Sequence, residues 1–504
     1  MNKKLYCIFI DFEKAFDRID RNLLWFKLFQ ENISTKLITI LKSMYTNVKS
    51  CIRYNRSMSE FIDSSIGLKQ GDPLSPILFM LFINDISSCM NTDVDHLFTL
   101  EDIKLFILLY ADDACVFTLN PETLQTLIND ISDYCDVWKL KINTNKTKVV
   151  VFERGHSRDP EIFLNGELLE VVPYFRYLGV TLYKNGNWLR TQKHIAEHAL
   201  FALHKLFNLF QNLILPLKDK CKLFDALVGS VLSYAAEVWG FHEAKDVETV
   251  HTKFCRKILV VRKSTNLDGL YGELGRFPLI VFRKLRIFRF WLKILSNRNS
   301  LLFKVYNLLK QDCDINQTYG NKNWVALIKQ ELENLGLAYI WQNQLTAEIH
   351  FESIKQRILD CYKQSWFASI TNSRRLETYS HIKFEFEMEN YLSKIPNLKH
   401  RVILTQLRIS AHSLSIETGR HLNVPINERK CLLCKTNAIE SEYHFTLVCP
   451  ALRDVRRKYL PNYYCHWPSI NKFYSLLQSN SIHVLNRLCK YLYEATTVRN
   501  AAIN

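Results

Sequence analysis

At 504 residues, 48% hydrophobic and 12% aromatic, the chain is too long for one core and too apolar for disorder, so several folded domains are expected. Its 66 Lys and Arg against 50 Asp and Glu leave a net charge of +16, which points to a polyanionic partner, nucleic acid before membrane. No apolar run reaches the ~18 residues of a membrane span, no signal-peptide layout opens the chain, and most of the 14 cysteines are scattered singly, so an intracellular setting, nuclear or cytoplasmic, is expected.

In chain order, "LYCIFID" reads as a buried strand, and "RNLLWFKLFQENI" as a helix capped by Asp20. "GLKQGDPLSPILF" follows. Gly67 and Gly71 allow close backbone approach there, Gln70 offers an amide, and Pro73 and Pro76 stiffen the entry to an apolar helix. "KLFILLYADDACVF" is two apolar runs around a short polar break, which predicts a hairpin anchored by Tyr110 and Val116. An amphipathic helix, "PETLQTLINDISDYCDVWKLKIN", leads to a strand in "KTKVVVF". "YFRYLGVTL" adds a short strand and a glycine turn.

Residues 190–310 become helical and basic. Between Lys253 and Lys293 there are eleven Lys and Arg and only two acids, Asp268 and Glu273, with Phe254, Phe277, Phe282, Phe288, Phe290 and Trp291 interleaved. Such a mixture can follow a phosphate backbone and stack on bases; an amphipathic helix with a solvated basic face has the same composition. Residues 311–424 read as a polar helical connector, 425–460 carry a cysteine cluster, and 461–504 form a helical tail.

The hairpin tip poses a chemical problem. Asp112 and Asp113 are adjacent carboxylates within apolar sequence, and burying such charges without partners costs several kcal/mol. A divalent cation offsets their repulsion. A two-metal site needs a further carboxylate, and Asp11, where the first strand ends, supplies a candidate. Separately, Cys431-x2-Cys434-x9-His444-x4-Cys449 offers three thiolates and an imidazole, the donor set of a closed structural Zn²⁺ site. His421 and His466 stand near enough to be alternative ligands.

"FIDFEKAFDRID", "GLKQGDPLSPILFMLFINDI", "LLYADDACVF", "LKINTNKTKVVVF" and "YFRYLGVTL" occur in the order of the palm motifs of reverse transcriptases. Over roughly residues 3–185 the chain resembles the polymerase of non-LTR (LINE-type) retrotransposons, and its Cys/His segment resembles their C-terminal motif. The resemblance implies an α+β fold: a palm of antiparallel sheet and packed helices over 1–189, a basic thumb-like helical region over 190–310, and the small zinc motif. It implies RNA-directed DNA polymerase activity, with two Mg²⁺ held by Asp11, Asp112 and Asp113, and an RNA template, a DNA primer or target and dNTPs as partners. By the same resemblance Phe16 is the gate against the ribose 2′-OH, Gln70 and Gly71 lie against nucleotide and template base, and Tyr177, Leu178 and Gly179 form a primer grip. Either Lys146 or Lys148, with Lys146 preferred, serves the leaving pyrophosphate.

Because the Asp11 motif comes so early, the resemblance implies a chain truncated at its N-terminus, without the endonuclease and most of the fingers, and hence a weakened hold on nucleotide. Two other readings accompany it. One is a non-catalytic nucleic-acid-binding relic, the other a palm-fold nucleotidyl transferase acting on a small nucleotide.

Overall fold

A computed structural model describes residues 4–90, 97–100, 103–153, 155, 158–315 and 323–503. Contacts divide the chain into residues 1–191 and 192–504. No described helix is long and apolar enough to cross a membrane.

The first unit is built on a four-stranded antiparallel sheet, ordered Lys148–Phe152, Leu5–Asp11, Asp113–Thr118, Ile107–Tyr110. Side chains alternate across it. Ile8, Ile10, Ala114 and Val116 face a core shared with the helices Arg21–Gln30, Ser75–Ile83 and Pro121–Trp138, which supply Leu24, Leu28, Phe79, Phe82, Leu124 and Ile131. Cys7, Phe9, Cys115 and Phe117 face the other way. There a hairpin of Tyr174–Tyr177 and Val180–Tyr183 covers them, with Phe175 stacked on Phe9 at 4.4 Å. The helix ends follow local chemistry. Asp20 accepts the backbone N–H of Asn22 and Leu23, and Pro76 sits in the first turn of its helix, where no donor is lost.

The same alternation corrects one expectation. Val116 anchors its strand and is fully buried, but Tyr110 pairs with Asp113, shares its face and is 64% exposed. Lys27 does the reverse. It is buried, donating to the Phe82 carbonyl and the Tyr134 hydroxyl and pairing with Asp85, and so ties three helices together behind the sheet. Burial pushes its pKa down.

Among the described residues of 192–503, the regular elements are all helices, joined by turns and loops. Ile287, Phe288, Trp291, Ile328, Phe351 and Ile354, at helical spacing along Leu279–Ser296, Trp324–Asn334 and Glu348–Asn372, form one core with Ile340 of the short helix Ala338–Gln342. Elsewhere in this unit lies a buried polar network. Arg408 donates from Nε to Glu273 at 2.7 Å and from a terminal nitrogen to the Leu477 carbonyl at 2.8 Å. Tyr391 donates to Glu273 and meets Thr405, each at 2.6 Å. Arg408→Ala should therefore destabilise this unit by about 3–5 kcal/mol, because it leaves Glu273 charged, buried and short of a partner. Pairing it with Glu273→Gln should recover much of the loss in urea denaturation. Additive losses would show that the two residues are not coupled.

Candidate active site and metal centre

Asp11 ends its strand directly opposite Asp113 in the ladder. Like charges so placed repel and destabilise a sheet. The alternation that sends Ile10 and Ala114 into the helical core puts Asp11 and Asp113 on the face of Phe9 and Cys115. Asp112 lies in the two-residue turn between the strands, after Ala111 at φ 51°. Burial first, then Asp112 and Asp11, raise the Asp113 pKa above the ordinary carboxylate value.

The segment following the Pro121–Trp138 helix wraps the end of the first strand. Glu13 N–H donates to the Lys141 carbonyl at 2.7 Å and Asn143 N–H to the Asp11 carbonyl at 2.8 Å. The Asp11 N–H donates to Thr147 Oγ1 at 3.2 Å, and Thr147 is fully buried. This turn sets Lys146 Nζ 3.6 Å from Asp11 Oδ2, whereas Lys148 pairs with Glu170 at 2.6 Å. The two lysines that sequence leaves equivalent thus have different partners. Thr147 was not singled out by sequence, although its place between those lysines was a signal.

Phe16 and the 67–71 loop are brought side by side. Leu68 N–H donates to the Phe16 carbonyl and Gly67 N–H to the Ile19 carbonyl, both at 2.8 Å. At Gly67, φ is +79° and a Cβ would lie 2.6 Å from the Asp17 carbonyl oxygen, so only glycine fits. Gly71 has open space around it and needs glycine for its φ of +86° alone. The half-buried Phe16 ring packs at 4.8 Å on Phe79, and the Gln70 amide donates to Asp17 Oδ1 at 2.8 Å, a partner sequence reasoning did not foresee.

Tyr177 lies 5.3 Å from Phe9, ring to ring. Burial, then Cys115 and Asp113, push its hydroxyl up to about 12. Leu178 and Gly179 make the turn of that hairpin with φ of 47° and 77°. A leucine in the left-handed region is uncommon and costs energy.

Asp11 ends one strand, Asp113 begins its neighbour and Asp112 lies in the turn beside it, but the three carboxylates do not converge to within 4.8 Å of one another. Among the described residues, the one group of three or more His, Cys, Asp or Glu ligand atoms mutually within 4.8 Å is Cys431, Cys434, His444 and Cys449. In that group Cys431 and Cys449 Sγ are 3.9 Å apart, and Cys434 Sγ is 3.4 Å from His444 Nε2. Tetrahedral zinc with ~2.3 Å bonds to sulfur and ~2.0 Å to nitrogen asks for edges of roughly 3.8 and 3.5 Å. The backbone builds the group locally. Cys431 N–H donates to the Ala438 carbonyl, closing a tight loop, and the N–H groups of Leu433 and Cys434 point at the Cys431 sulfur. Cys449 N–H reaches back five residues to the His444 carbonyl. Burial holds the His444 pKa down, which favours the neutral imidazole a metal needs. His421 pairs instead with Glu417, and neither it nor His466 joins the group.

The basic stretch between Lys253 and Lys293 is largely structural. Phe254, Phe288 and Trp291 are fully buried, and Phe277 packs on Tyr362 and Phe386. Arg276 pairs with Asp225, Arg283 with Glu248, Lys284 with Glu331 and Arg286 with Glu237. Of the aromatic rings able to stack on bases, Phe254, Phe288 and Trp291 are core residues, Phe277 and Phe290 are partly buried, and Phe282 is exposed. Exposed charge remains at Lys253, Lys257, Arg262, Lys263, Arg289 and Lys293.

Residues 1–182 match the family profile described as "Reverse transcriptase (RNA-dependent DNA polymerase)". Over 275 residues the chain is 27% identical to the RNA-directed DNA polymerase from mobile element jockey of Drosophila funebris, covering 51% of this chain and 29% of that protein. Over 129 residues it is 26% identical to a Pol polyprotein from the type-1 retrotransposable element R2 of Nasonia vitripennis, covering 26% and 12%. The matches thus span less than a third of either relative. Among solved structures, apo telomerase from Candida tropicalis, truncated from its C-terminal domain, aligns with a TM-score of 0.27 and 19% identity, covering 36% of this chain and 34% of that one.

Proposed function

We propose that this chain, whose residues 1–182 form a reverse transcriptase domain of the kind found in non-LTR retrotransposons, is an RNA-directed DNA polymerase that extends a primer 3′-OH with dNTPs. The observation that carries the reading is the direct pairing of Asp11 with Asp113 beside Asp112, on the sheet face away from the helical core. A ladder built around opposed carboxylates is costly without cations, and oxygen donors of this kind suit Mg²⁺. Asp11, Asp112 and Asp113 would hold the ions, whose chemistry is to lower the pKa of the primer hydroxyl and neutralise charge on the leaving pyrophosphate.

The chain's own groups do the positioning. The Asp11 backbone is held at both ends, by Thr147 Oγ1 and by Asn143 N–H, so its carboxylate is aimed by the fold. Gln70 and Gly71 face the nucleotide and template base, with Gln70 oriented by Asp17. Lys146 supplies positive charge for the pyrophosphate. The Tyr177–Leu178–Gly179 turn bears on the primer end. Phe16, held against Phe79, excludes the 2′-OH by clash. Phe16→Val should raise ribonucleotide incorporation relative to dNTP by roughly 10- to 100-fold in competition assays. An unchanged ratio would remove the gate from Phe16. Cys431, Cys434, His444 and Cys449 would hold one structural Zn²⁺.

The deciding experiment is primer extension on an RNA template with Mg²⁺ and dNTPs, using the full chain. Incorporation that depends on Mg²⁺ and on the template sequence is expected. Absence of incorporation at any protein level, with nucleic acid still bound in filter assays, would overturn the polymerase reading in favour of a binding protein.

A further inference from the structure

We propose that Lys146 and a divalent metal ion are alternative partners of the Asp11 carboxylate, so that metal loading releases Lys146 toward the phosphates of the incoming nucleotide. The inference rests on the polymerase reading and adds a coupling between two of its charges.

The contact is built to exchange. Lys146 Nζ is 3.6 Å from Asp11 Oδ2, and the two side chains remain 68% and 38% exposed, so neither is locked in place. An ion pair this open to water is weak and yields to a stronger competitor. The backbone beneath it is firm. Lys146 and Thr147 N–H both donate to the Asn143 carbonyl, at 3.2 and 2.9 Å, and the buried Thr147 hydroxyl takes the Asp11 N–H. The strand end and the lysine therefore stay in register whatever the side chain does, and the flexible stem alone moves.

The balance of charge gives the direction. Asp11 faces Asp113 across the ladder, with Asp112 next to it, so one ammonium stands against three carboxylates. A divalent ion can engage more than one of them and displaces the single ammonium. Lys148 is held by Glu170, which leaves Lys146 as the lysine of this segment on Asp11. A displaced ammonium carries three donors and no acceptor, which suits phosphate oxygens.

The test is Mn²⁺ titration of the full chain, following free Mn²⁺ by electron paramagnetic resonance without primer or nucleotide. Binding that disappears in Asp11→Asn and Asp112→Asn defines the aspartate site. Lys146→Met should tighten that binding by up to about five-fold, Lys146→Arg should return it to the parental value, and Lys148→Met should leave it unchanged. In primer extension, Lys146→Met should lower the maximal rate even as its Mn²⁺ affinity rises. Aspartate-dependent binding that is unchanged or weaker in Lys146→Met overturns this proposal alone. Binding that is indifferent to Asp11→Asn overturns the metal site and the proposal together.

Discussion

Asp112→Asn is expected to lower Mg²⁺-dependent incorporation by roughly 10³-fold, the scale on which an active site suffers when one preorganised electrostatic group is lost, and to make the folded chain more stable at neutral pH. The two effects have one cause. Asp113 stands in the ladder opposite Asp11, with Asp112 beside it, and its pKa is raised by burial first and by these two neighbours next. The charges that suit the site to metal therefore strain the apo fold. A carboxyl whose folded pKa lies above its unfolded value, 3.8 here, contributes stability that is complete below about pH 4 and is lost as pH rises through the folded value. Removing the Asp112 charge lowers the folded pKa of Asp113 and lessens that loss. Thermal melts of parent and variant should converge as pH falls toward 4 and separate toward 7, with the variant higher. A variant less stable than the parent at pH 7, or one that retains activity, would show that Asp112 is not part of a repulsive metal-binding group. Gains in stability where activity is lost are the usual mark of a functional site under strain.

How much of this was legible in the chain depended on the range over which the information is stored. The ends of strands and helices were readable because their signals are local: Asp20 caps its helix, Pro76 begins one, and Asp11 stands where apolar residues stop. The cysteine group was readable for the same reason, since Cys431, Cys434, His444 and Cys449 span only nineteen positions. Register was not readable. That Asp11 meets Asp113 is set by pairing across a hundred residues, and a one-residue slip of either strand would turn its own carboxylate into the core. Tyr110 was misjudged on that account, and Lys146 and Lys148 could not be told apart until Glu170 claimed one of them. The basic stretch misled for a related reason. A count of charges along a helix does not show that Arg276, Lys284 and Arg286 answer to Asp225, Glu331 and Glu237, each roughly fifty residues away. Nor does it show which helical face holds Phe288 and Trp291.

Removal of zinc should be the other large effect, and it should be felt across the C-terminal part of residues 192–504 and not at the cysteines alone. The purified chain should carry one equivalent of zinc, and Cys449→Ser should lose it. The four ligand atoms already lie within 4.8 Å of one another, but Cys449 is buried beside Cys431, and burial pushes its pKa up to about 12. Burial favours the thiol form of Cys431 and Cys449, whereas Cys434, although burial opposes it, is shifted down by hydrogen bonds from Thr436; binding a cation deprotonates the remaining thiols and turns them into ligands. Around the cluster, Arg456 donates to the Thr446 and Cys449 carbonyls, Tyr491 to the Phe445 carbonyl, and Arg499 to both oxygens of the buried Glu440. The last two residues lie on the helix Ile482–Ile503, so the metal-bearing loop and the C-terminal helix share their polar contacts. With free zinc at a thousand times its dissociation constant, linkage is worth about 4 kcal/mol. Chelation should therefore lower the melting temperature and release the Ile482–Ile503 helix to faster amide hydrogen exchange, while Arg21–Gln30 and the other helices of the first unit exchange as before. The affinity should fall as pH drops, because protons compete for three thiolates and one imidazole. A chelated chain that melts at the parental temperature, or a Cys449→Ser protein that keeps its zinc, would remove the metal from this site and leave three buried side chains and the half-buried Cys434 packed for their own sake.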